Sequence, residues 1–188
     1  MKSIKEFIVP TLTLFLICLV AAFLLGVTNK VTAPRIAEIE EQTKQEAMKE
    51  VFPEAASFGA DETDESTGCT YAQALDAEGN VIGYAVTAIG KGGYSGDIKL
   101  MVGLDNEGKV VKTTVLSQDE TPSVGGKKVI ANESFFAQFT GLLEKASIGA
   151  GNVDAVSGAT KTSTGVADAV NNALLCFANV KGEVSTNG

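Results

Sequence analysis

Apolar residues form one unbroken run near the start of the chain, over residues 7–27, with no charged side chain inside it. As an α-helix this run is about 31 Å long, which matches the roughly 30 Å hydrocarbon core of a bilayer. A cleaved signal peptide has a shorter apolar core followed by small residues at a cleavage site. The nearest small-residue candidate here, residues 31–33, is followed by Pro34, which disfavours cleavage. The run therefore predicts a single uncleaved transmembrane helix.

The residues that follow the run are mostly polar. Residues 33–51 contain no glycine and many Glu, Gln, Lys and Ala residues with a thin apolar stripe, which predicts a helix within a stalk over residues 28–56. Residues 57–68 are acidic and have no periodicity, which predicts a loop. Lys2 and Lys5 before the apolar run slightly favour a cytoplasmic N-terminus over residues 1–6, with the remaining domain on the far side.

A short internal repeat predicts two β-hairpins. The sequence Leu-Asp-Ala-Glu-Gly-Asn-Val-Ile at 75–82 recurs as Leu-Asp-Asn-Glu-Gly-Lys-Val-Val at 104–111. An Asp that opens a turn and a Gly that takes positive φ at its end suit a hairpin loop, so we favour one turn used twice over a duplication. The flanking residues predict four strands, at 71–75, 81–88, 98–104 and 110–116.

The clearest helical pattern lies near the C-terminus. Its apolar positions are Val166, Ala169, Val170, Ala173, Leu174 and Phe177. Thr162, Ser163 and Thr164 are N-cap candidates, so the segment before them lies at a helix N-terminus, which attracts phosphate. A second helical spacing predicts core residues at Phe135, Phe136, Phe139, Leu142 and Leu143. The predicted fold class is α+β, with antiparallel β-hairpins packed with helices in one domain over residues 57–180 and a flexible tail at 181–188.

Composition narrows the chemistry. The net charge of −8 argues against a nucleic-acid partner, and the absence of histidine removes the usual general base, zinc ligand and haem ligand. Cys18, Cys69 and Cys176 have no metal-site spacing. Outside the cytoplasm Cys69 and Cys176 are candidates for a disulfide, although two separate buried thiols are the simpler interpretation.

The segment before the C-terminal helix carries the main candidate chemistry. Residues 154–160 read Asp-Ala-Val-Ser-Gly-Ala-Thr, in which small residues leave the backbone open and Thr160 offers a hydroxyl beside an anion-binding helix end. From the residues alone this is a phosphate-contact loop. The run also resembles the flavinylation motif of the FMN-binding domain family, in which an Asp precedes Ser or Thr, Gly, Ala and a final Thr or Ser.

Two weaker motifs extend the resemblance to about residues 69–177. Gly-Gly-Tyr-Ser-Gly-Asp-Ile at 92–98 resembles the family's glycine-rich loop, and Glu-Thr-Pro-Ser-Val-Gly at 120–125 resembles its Glu-Thr-Pro-Gly-Leu-Gly segment. Gln118 stands where the family usually has His, and Ser123 and Val124 replace Gly and Leu. The N-terminal anchor and the short chain make the G subunits of the Rnf electron-transport complexes the most similar branch.

The resemblance implies a cofactor and a set of residues that bind it. It makes Thr160 the site at which a separate flavin transferase attaches FMN, taken from FAD, as a phosphoester. The residues implied in recognition and positioning, or alternatively in turn formation and capping, are Asp154, Ser157, Gly158 and Ala159. The residues implied near the flavin ring are Tyr94, Glu120 and Thr121. Tyr94 is equally an ordinary strand-end aromatic, and Glu120 equally a residue that braces a loop.

The implied function is electron relay by an electron-transfer subunit rather than by an independent enzyme. The implied partners are the other membrane and iron-sulfur subunits of a complex that couples ferredoxin oxidation and NAD⁺ reduction to ion pumping. On this expectation the chain is a single-pass protein of the cell membrane with its domain on the extracytoplasmic side. The alternatives are a membrane-tethered flavin-domain protein of another respiratory chain or regulator, and a scaffold subunit that never acquires flavin.

Overall fold

The computed structural model describes residues 2–120, 126–149 and 151–186. The chain divides into two compact units, residues 1–43 and residues 44–188, and each is described by itself. Ten helices and strands are present in the described residues, beginning with helix α1 at Lys2–Val51.

The first unit, residues 1–43, contains the apolar run of α1 and the polar residues that follow it. In the described part of the chain, one helix is both long enough and apolar enough to cross a membrane, and it is α1. Its most apolar 18 residues have a mean hydropathy of 2.7. Large apolar side chains such as Phe15 and Leu24 are exposed along it. The hydroxyls of Thr11 and Thr13 donate to backbone carbonyls four residues earlier, so these polar groups are satisfied within the helix. The helices predicted at 7–27 and 33–51 are parts of the same helix.

The second unit is built on a six-stranded antiparallel sheet in the order β1-β3-β4-β5-β6, with β2 also pairing with β3. The strands are β1 Ser57–Phe58, β2 Glu62–Asp64, β3 Cys69–Leu75, β4 Val81–Gly90, β5 Ile98–Asp105 and β6 Val110–Gln118. The four predicted strands are confirmed. The predicted loop at 57–68 is wrong, because it contains β1 and β2. These short strands are held by backbone pairing to β3 and are largely exposed, so they leave no hydrophobic periodicity.

Both repeated turns have the predicted geometry. The Oδ1 atom of Asp76 accepts from the backbone amides two and four residues later, at 3.0 and 2.8 Å. The Oδ1 atom of Asp105 does the same at 2.8 and 2.9 Å. Gly79 and Gly108 have φ values of +85° and +89°, which only glycine adopts without strain. The two copies therefore close the hairpins β3-β4 and β5-β6.

The sheet is covered on both faces. On one face, Val86, Leu100 and their neighbours pack against helix α4, which spans Thr160–Thr186. On the other face, Met48 and Val51 at the C-terminal end of α1, and Phe52 just after it, pack against small and apolar residues of the central strands. Because both faces are buried, β4 and β5 are apolar at nearly consecutive positions.

The predicted apolar stripe of the C-terminal helix is confirmed, since Val166, Val170 and Ala173 are fully buried on the sheet. The predicted caps are wrong: the helix begins at Thr160, so Thr162, Ser163 and Thr164 lie inside its first turns. The helix continues to Thr186, so the tail expected at 181–188 begins within it.

Between β6 and α4 lie two short helices, α2 at Gly126–Ile130 and α3 at Glu133–Ala137. Phe135 and Phe139 are buried edge to face with ring centroids 5.3 Å apart, as predicted for core residues. Leu143 is exposed, because α3 ends at Ala137 and the helical spacing does not continue to it. With antiparallel hairpins packed against helices, the predicted α+β class is confirmed.

Candidate functional site

Thr160 is the first residue of α4, and its side chain is exposed. The first amides of a helix have no partner within the helix and carry a partial positive charge. The preceding Gly158 has a φ of +77°, and a Cβ built on it meets nothing within 4 Å. The exposed Thr160 therefore lies at the positive end of a 27-residue helix, two residues after a glycine whose Cβ position is open.

The segment before Thr160 is fastened by local hydrogen bonds. The amide of Val156 donates to Ser163 Oγ at 3.1 Å, and this hydroxyl in turn donates to the carbonyl of Ala159 at 3.0 Å. The amide of Ala159 donates to the carbonyl of Val156 at 2.9 Å. Ser163 thus ties the loop to the helix rather than capping its N-terminus. Ala159 is buried, while Ser157 and Gly158 are exposed.

Asp154, at the start of the motif, is held through its backbone. Its amide donates to Gln138 Oε1 at 2.8 Å, and Gln138 Nε2 donates to its carbonyl at 3.3 Å. The carboxylate of Asp154 is exposed. Its side chain is therefore presented at the surface while the backbone is fixed.

Glu120 lies at the point where two of the family motifs meet. It is only 4% exposed, and its Oε2 atom accepts from the hydroxyl of Thr162 at 2.6 Å. Its Oε1 atom accepts from the amide of Ser95 in the glycine-rich loop at 3.0 Å. The side chain of Glu120 braces that loop, which was one of its two predicted roles. Both carboxylate oxygens of Glu120 therefore have protein partners.

The glycine-rich loop, residues 92–96, packs against α4 by close backbone approach. A Cβ on Gly165 would lie 3.1 Å from the Gly93 amide nitrogen, and one on Gly93 would lie 2.5 Å from Glu120 Oε1. Just before the loop, a Cβ on Gly90 would lie 1.9 Å from the Gly165 carbonyl oxygen. Side chains at these positions would push the loop away from the helix.

The remaining predicted site residues are placed as follows. Tyr94, in the glycine-rich loop, is 58% exposed and is not a half-buried strand-end aromatic. Thr121 lies outside the described residues. Gln118, at the position where the family usually has His, accepts from the amide of Glu120 at 2.6 Å. The glutamine therefore helps to orient the residue that braces the loop.

Thr162 is the site residue that the sequence pattern did not identify. It is 1% exposed and bonded to Glu120. The helical repeat could have identified Thr162, because residues two apart on a helix point in directions that differ by about 200°. If Thr160 faces outward at the start of a helix, Thr162 faces inward.

Cys69 and Cys176 are free thiols, and both are buried. The side-chain hydrogen bond with Cys176 lowers the pKa of Cys69 to about 7, against the opposing effect of burial. The same hydrogen bond and burial raise the pKa of Cys176. The two thiols therefore lie close enough to affect each other's pKa, and both are free.

These residues fit a phosphorylated group attached at Thr160. The hydroxyl is exposed, the adjacent Gly158 leaves open space, and the helix N-terminus favours an anion. Lys161 is also exposed next to it and adds a positive charge.

The chain matches two family models. Residues 93–175 match the FMN-binding domain, and residues 1–51 match the RnfG N-terminal region. The first match covers the glycine-rich loop from Gly93 onward, Glu120 and the segment that ends at Thr160. The FMN-binding domain predicted from these motifs is confirmed.

Curated relatives resemble nearly the whole chain. The G subunit of the Na⁺-translocating ferredoxin:NAD⁺ oxidoreductase complex of Acetobacterium woodii is 31% identical, with 90% of each chain covered. The G subunit of the ion-translocating oxidoreductase complex of Methanosarcina acetivorans is 33% identical over 93% of this chain and 96% of that one. The G subunit of the proton-translocating ferredoxin:NAD⁺ oxidoreductase complex of Clostridium ljungdahlii is 27% identical, with 87% and 88% covered. The chain belongs to the family of G subunits of ion-translocating oxidoreductase complexes.

Proposed function

We propose that the chain is the electron-carrier subunit of an ion-translocating ferredoxin:NAD⁺ oxidoreductase complex and holds FMN covalently through Thr160. The observation that supports this most strongly is the exposed Thr160 hydroxyl at the start of α4, inside an FMN-binding domain. The names of the Acetobacterium and Clostridium relatives supply the reaction of the complex. Bound FMN would supply the electron-transfer chemistry.

Attachment of FMN at Thr160 is a phosphoryl-group transfer from FAD by a flavin transferase. A bond forms between Thr160 Oγ1 and the phosphorus of the FMN half, the bond between the two phosphates of FAD breaks, and AMP leaves. The hydroxyl proton passes to a base of the transferase. The helix N-terminus stabilises the resulting phosphate charge.

The remaining motif residues have supporting roles. Asp154 presents its carboxylate for recognition by the transferase, and Ser157, Gly158 and Ala159 leave the approach to Thr160 open. Tyr94, exposed in the glycine-rich loop, and Thr121, just after Glu120 in the chain, are proposed flavin-ring contacts. The extended apolar helix anchors the chain in a membrane.

We place residues 1–6 in the cytoplasm, residues 7–27 in the membrane and the domain from residue 57 onward on the extracytoplasmic side. The lysines before the apolar run support this orientation. Protease added to cells whose outer barrier has been permeabilised should digest the domain while the cytoplasm stays sealed. Digestion only after lysis would reverse the orientation.

The covalent link is tested by Thr160→Ala. In the wild type, the band in a denaturing gel should fluoresce under ultraviolet light, because only a covalent flavin survives denaturation. The alanine variant should fold with an unchanged circular dichroism spectrum and lose the fluorescence, and Thr160→Ser should retain part of it. A wild-type band without flavin in cells that contain the transferase would favour the scaffold alternative.

A further inference from the structure

The buried carboxylate of Glu120 needs an explanation in terms of what it holds together. Removing a carboxylate from water costs much free energy unless its oxygens accept hydrogen bonds. Here Oε2 accepts from the Thr162 hydroxyl and Oε1 from the Ser95 amide. The two donors come from segments that are far apart in the sequence, the glycine-rich loop and the first turn of α4. Glu120 therefore joins these two segments directly.

The surrounding contacts leave little freedom at this junction. A Cβ on Gly126, the first residue of α2, would lie 2.3 Å from Glu120 Cβ. A Cβ on Gly93 would lie 2.3 Å from the Gly96 carbonyl oxygen. The same Cβ on Gly93 would lie 2.5 Å from Glu120 Oε1, so glycine at positions 93 and 126 lets the backbone lie close to the Glu120 side chain.

The rotation of α4 about its axis connects this junction to Thr160. Thr162 is held facing inward by Glu120, and residues two apart on a helix point about 200° from each other. The buried stripe of α4 sets the rotation of the helix as a whole, and the bond to Thr162 fixes its first turn, where Thr160 is exposed on the opposite side.

We propose that Glu120 and Thr162 are positioning residues, whose buried hydrogen bonds fix the glycine-rich loop on the first turn of α4 and orient the Thr160 hydroxyl for FMN attachment. This inference rests on the proposed attachment at Thr160. Glu120 acts through Thr162 and Ser95, without touching the flavin or the reacting oxygen. On this proposal, the two hydrogen bonds of the Glu120 side chain position Thr160, and the negative charge of Glu120 is not required.

The chain offers variants that separate shape from charge. In Glu120→Gln, the amide oxygen accepts from Ser95 and the amide NH₂ donates to Thr162, whose hydroxyl rotates. Both hydrogen bonds survive without the charge. Glu120→Ala removes both bonds, Thr162→Val removes one at nearly constant volume, and Thr162→Ser keeps it. Thr164→Val is the matched control, because the exposed Thr164 hydroxyl donates to the backbone carbonyl of Thr160 at 2.9 Å and not to Glu120.

The test uses the purified full-length chain in detergent, prepared without flavin and incubated with flavin transferase and FAD. The measured quantity is the rate at which covalent flavin fluorescence appears in a denaturing gel. Thr162→Val and Glu120→Ala should label about tenfold more slowly or worse, since small misplacements of a reacting group cost this much. Thr162→Ser, Glu120→Gln and Thr164→Val should label within about twofold of the wild type.

Fluorescence anisotropy of the attached flavin gives a second readout, which should fall in Thr162→Val and stay at the wild-type value in Glu120→Gln. Wild-type labelling and anisotropy in Thr162→Val would overturn the inference, and so would labelling of Glu120→Gln as slow as that of Glu120→Ala. The second comparison holds even if Thr162→Val fails to fold. Labelling of Thr160→Ala in the same assay would instead refute the proposed function. If Thr160→Ala loses the label while Thr162→Val has wild-type labelling and anisotropy, only the positioning role is refuted.

Discussion

The two faces of the sheet are covered by different kinds of contact. On the α4 face, glycines let backbone approach backbone, as where Gly90 meets Gly165, and the helix that covers the core also begins at Thr160. On the α1 face, side chains of Met48, Val51 and Phe52 fill the space over the central strands. Changes on the α4 face should therefore move the site, whereas changes on the α1 face should alter stability alone.

The largest expected effect is on the α1 face. Phe52 is 2% exposed, and its replacement by alanine should lower the free energy of unfolding by about 3–5 kcal/mol, because it leaves a cavity. Below its melting temperature the variant should still acquire flavin at the wild-type rate. Denaturant unfolding measures the first quantity and in-gel fluorescence the second. Slow labelling of the folded variant would mean that the faces are coupled.

The next effect is on the α4 face. Gly90→Ala would place a Cβ 1.9 Å from the Gly165 carbonyl oxygen, and backbone gives way less easily than a side chain. We expect the free energy of unfolding to fall by an amount near the upper end of about 1–3 kcal/mol, and flavin attachment to be slower. Gly103→Ala is the matched control on the other face, since its Cβ would meet Val51 and Phe52 side-chain atoms at 3.1 and 3.2 Å. Gly103→Ala should lower the free energy of unfolding by less than Gly90→Ala and leave the rate of flavin labelling unchanged.

The smallest effect concerns a polar link to α4. Burial raises the pKa of Asp64, but hydrogen bonds from Thr67, Asn179 and Ser66 outweigh it and hold that pKa below its usual value. Asn179 lies on α4 and donates to Asp64 Oδ2 at 3.0 Å. A lowered folded-state pKa stabilises the fold above the unfolded pKa of about 4, and this stabilisation is lost as the pH falls through the folded value.

Asp64→Asn should remove that part of the acid sensitivity. The drop in unfolding free energy between about pH 6 and about pH 3 should be smaller in the variant than in the wild type. Flavin attachment should not change, because Asn179 lies far along α4 from Thr160. Equal drops in both proteins would show that the Asp64 hydrogen bonds contribute nothing to the pH dependence.

The elements that could be predicted from the sequence are those with a regular pattern of buried side chains or a characteristic turn. The stripe on α4 reflects burial on the sheet, the apolar runs of β4 and β5 reflect burial on both faces, and the two Asp-to-Gly turns depend on local backbone geometry. The loop predicted at 57–68 was wrong because β1 and β2 are held by backbone pairing, which leaves no side-chain signal. Helix α2 was missed because five residues are too few to show periodicity.

In the candidate site, too, local features could be predicted from the sequence and contacts between distant segments could not. Thr160 was identifiable because the motif is local. The contacts of Glu120 were not, because Ser95 and Thr162 lie 25 and 42 residues away and only the folded chain brings them to one carboxylate. The caps predicted at Thr162 and Ser163 failed for a related reason, since both hydroxyls found partners outside the helix N-terminal amides.

Mass spectrometry of peptides from the natively expressed protein tests the central claim most directly. One FMN attached with loss of water adds about 438 Da, and we predict this addition on the peptide that contains Thr160, mapped to that residue by fragmentation. The same peptide from Thr160→Ala should be unmodified. An unmodified Thr160 in protein from cells that contain an active flavin transferase, or the added mass on another residue, would contradict the covalent link at Thr160.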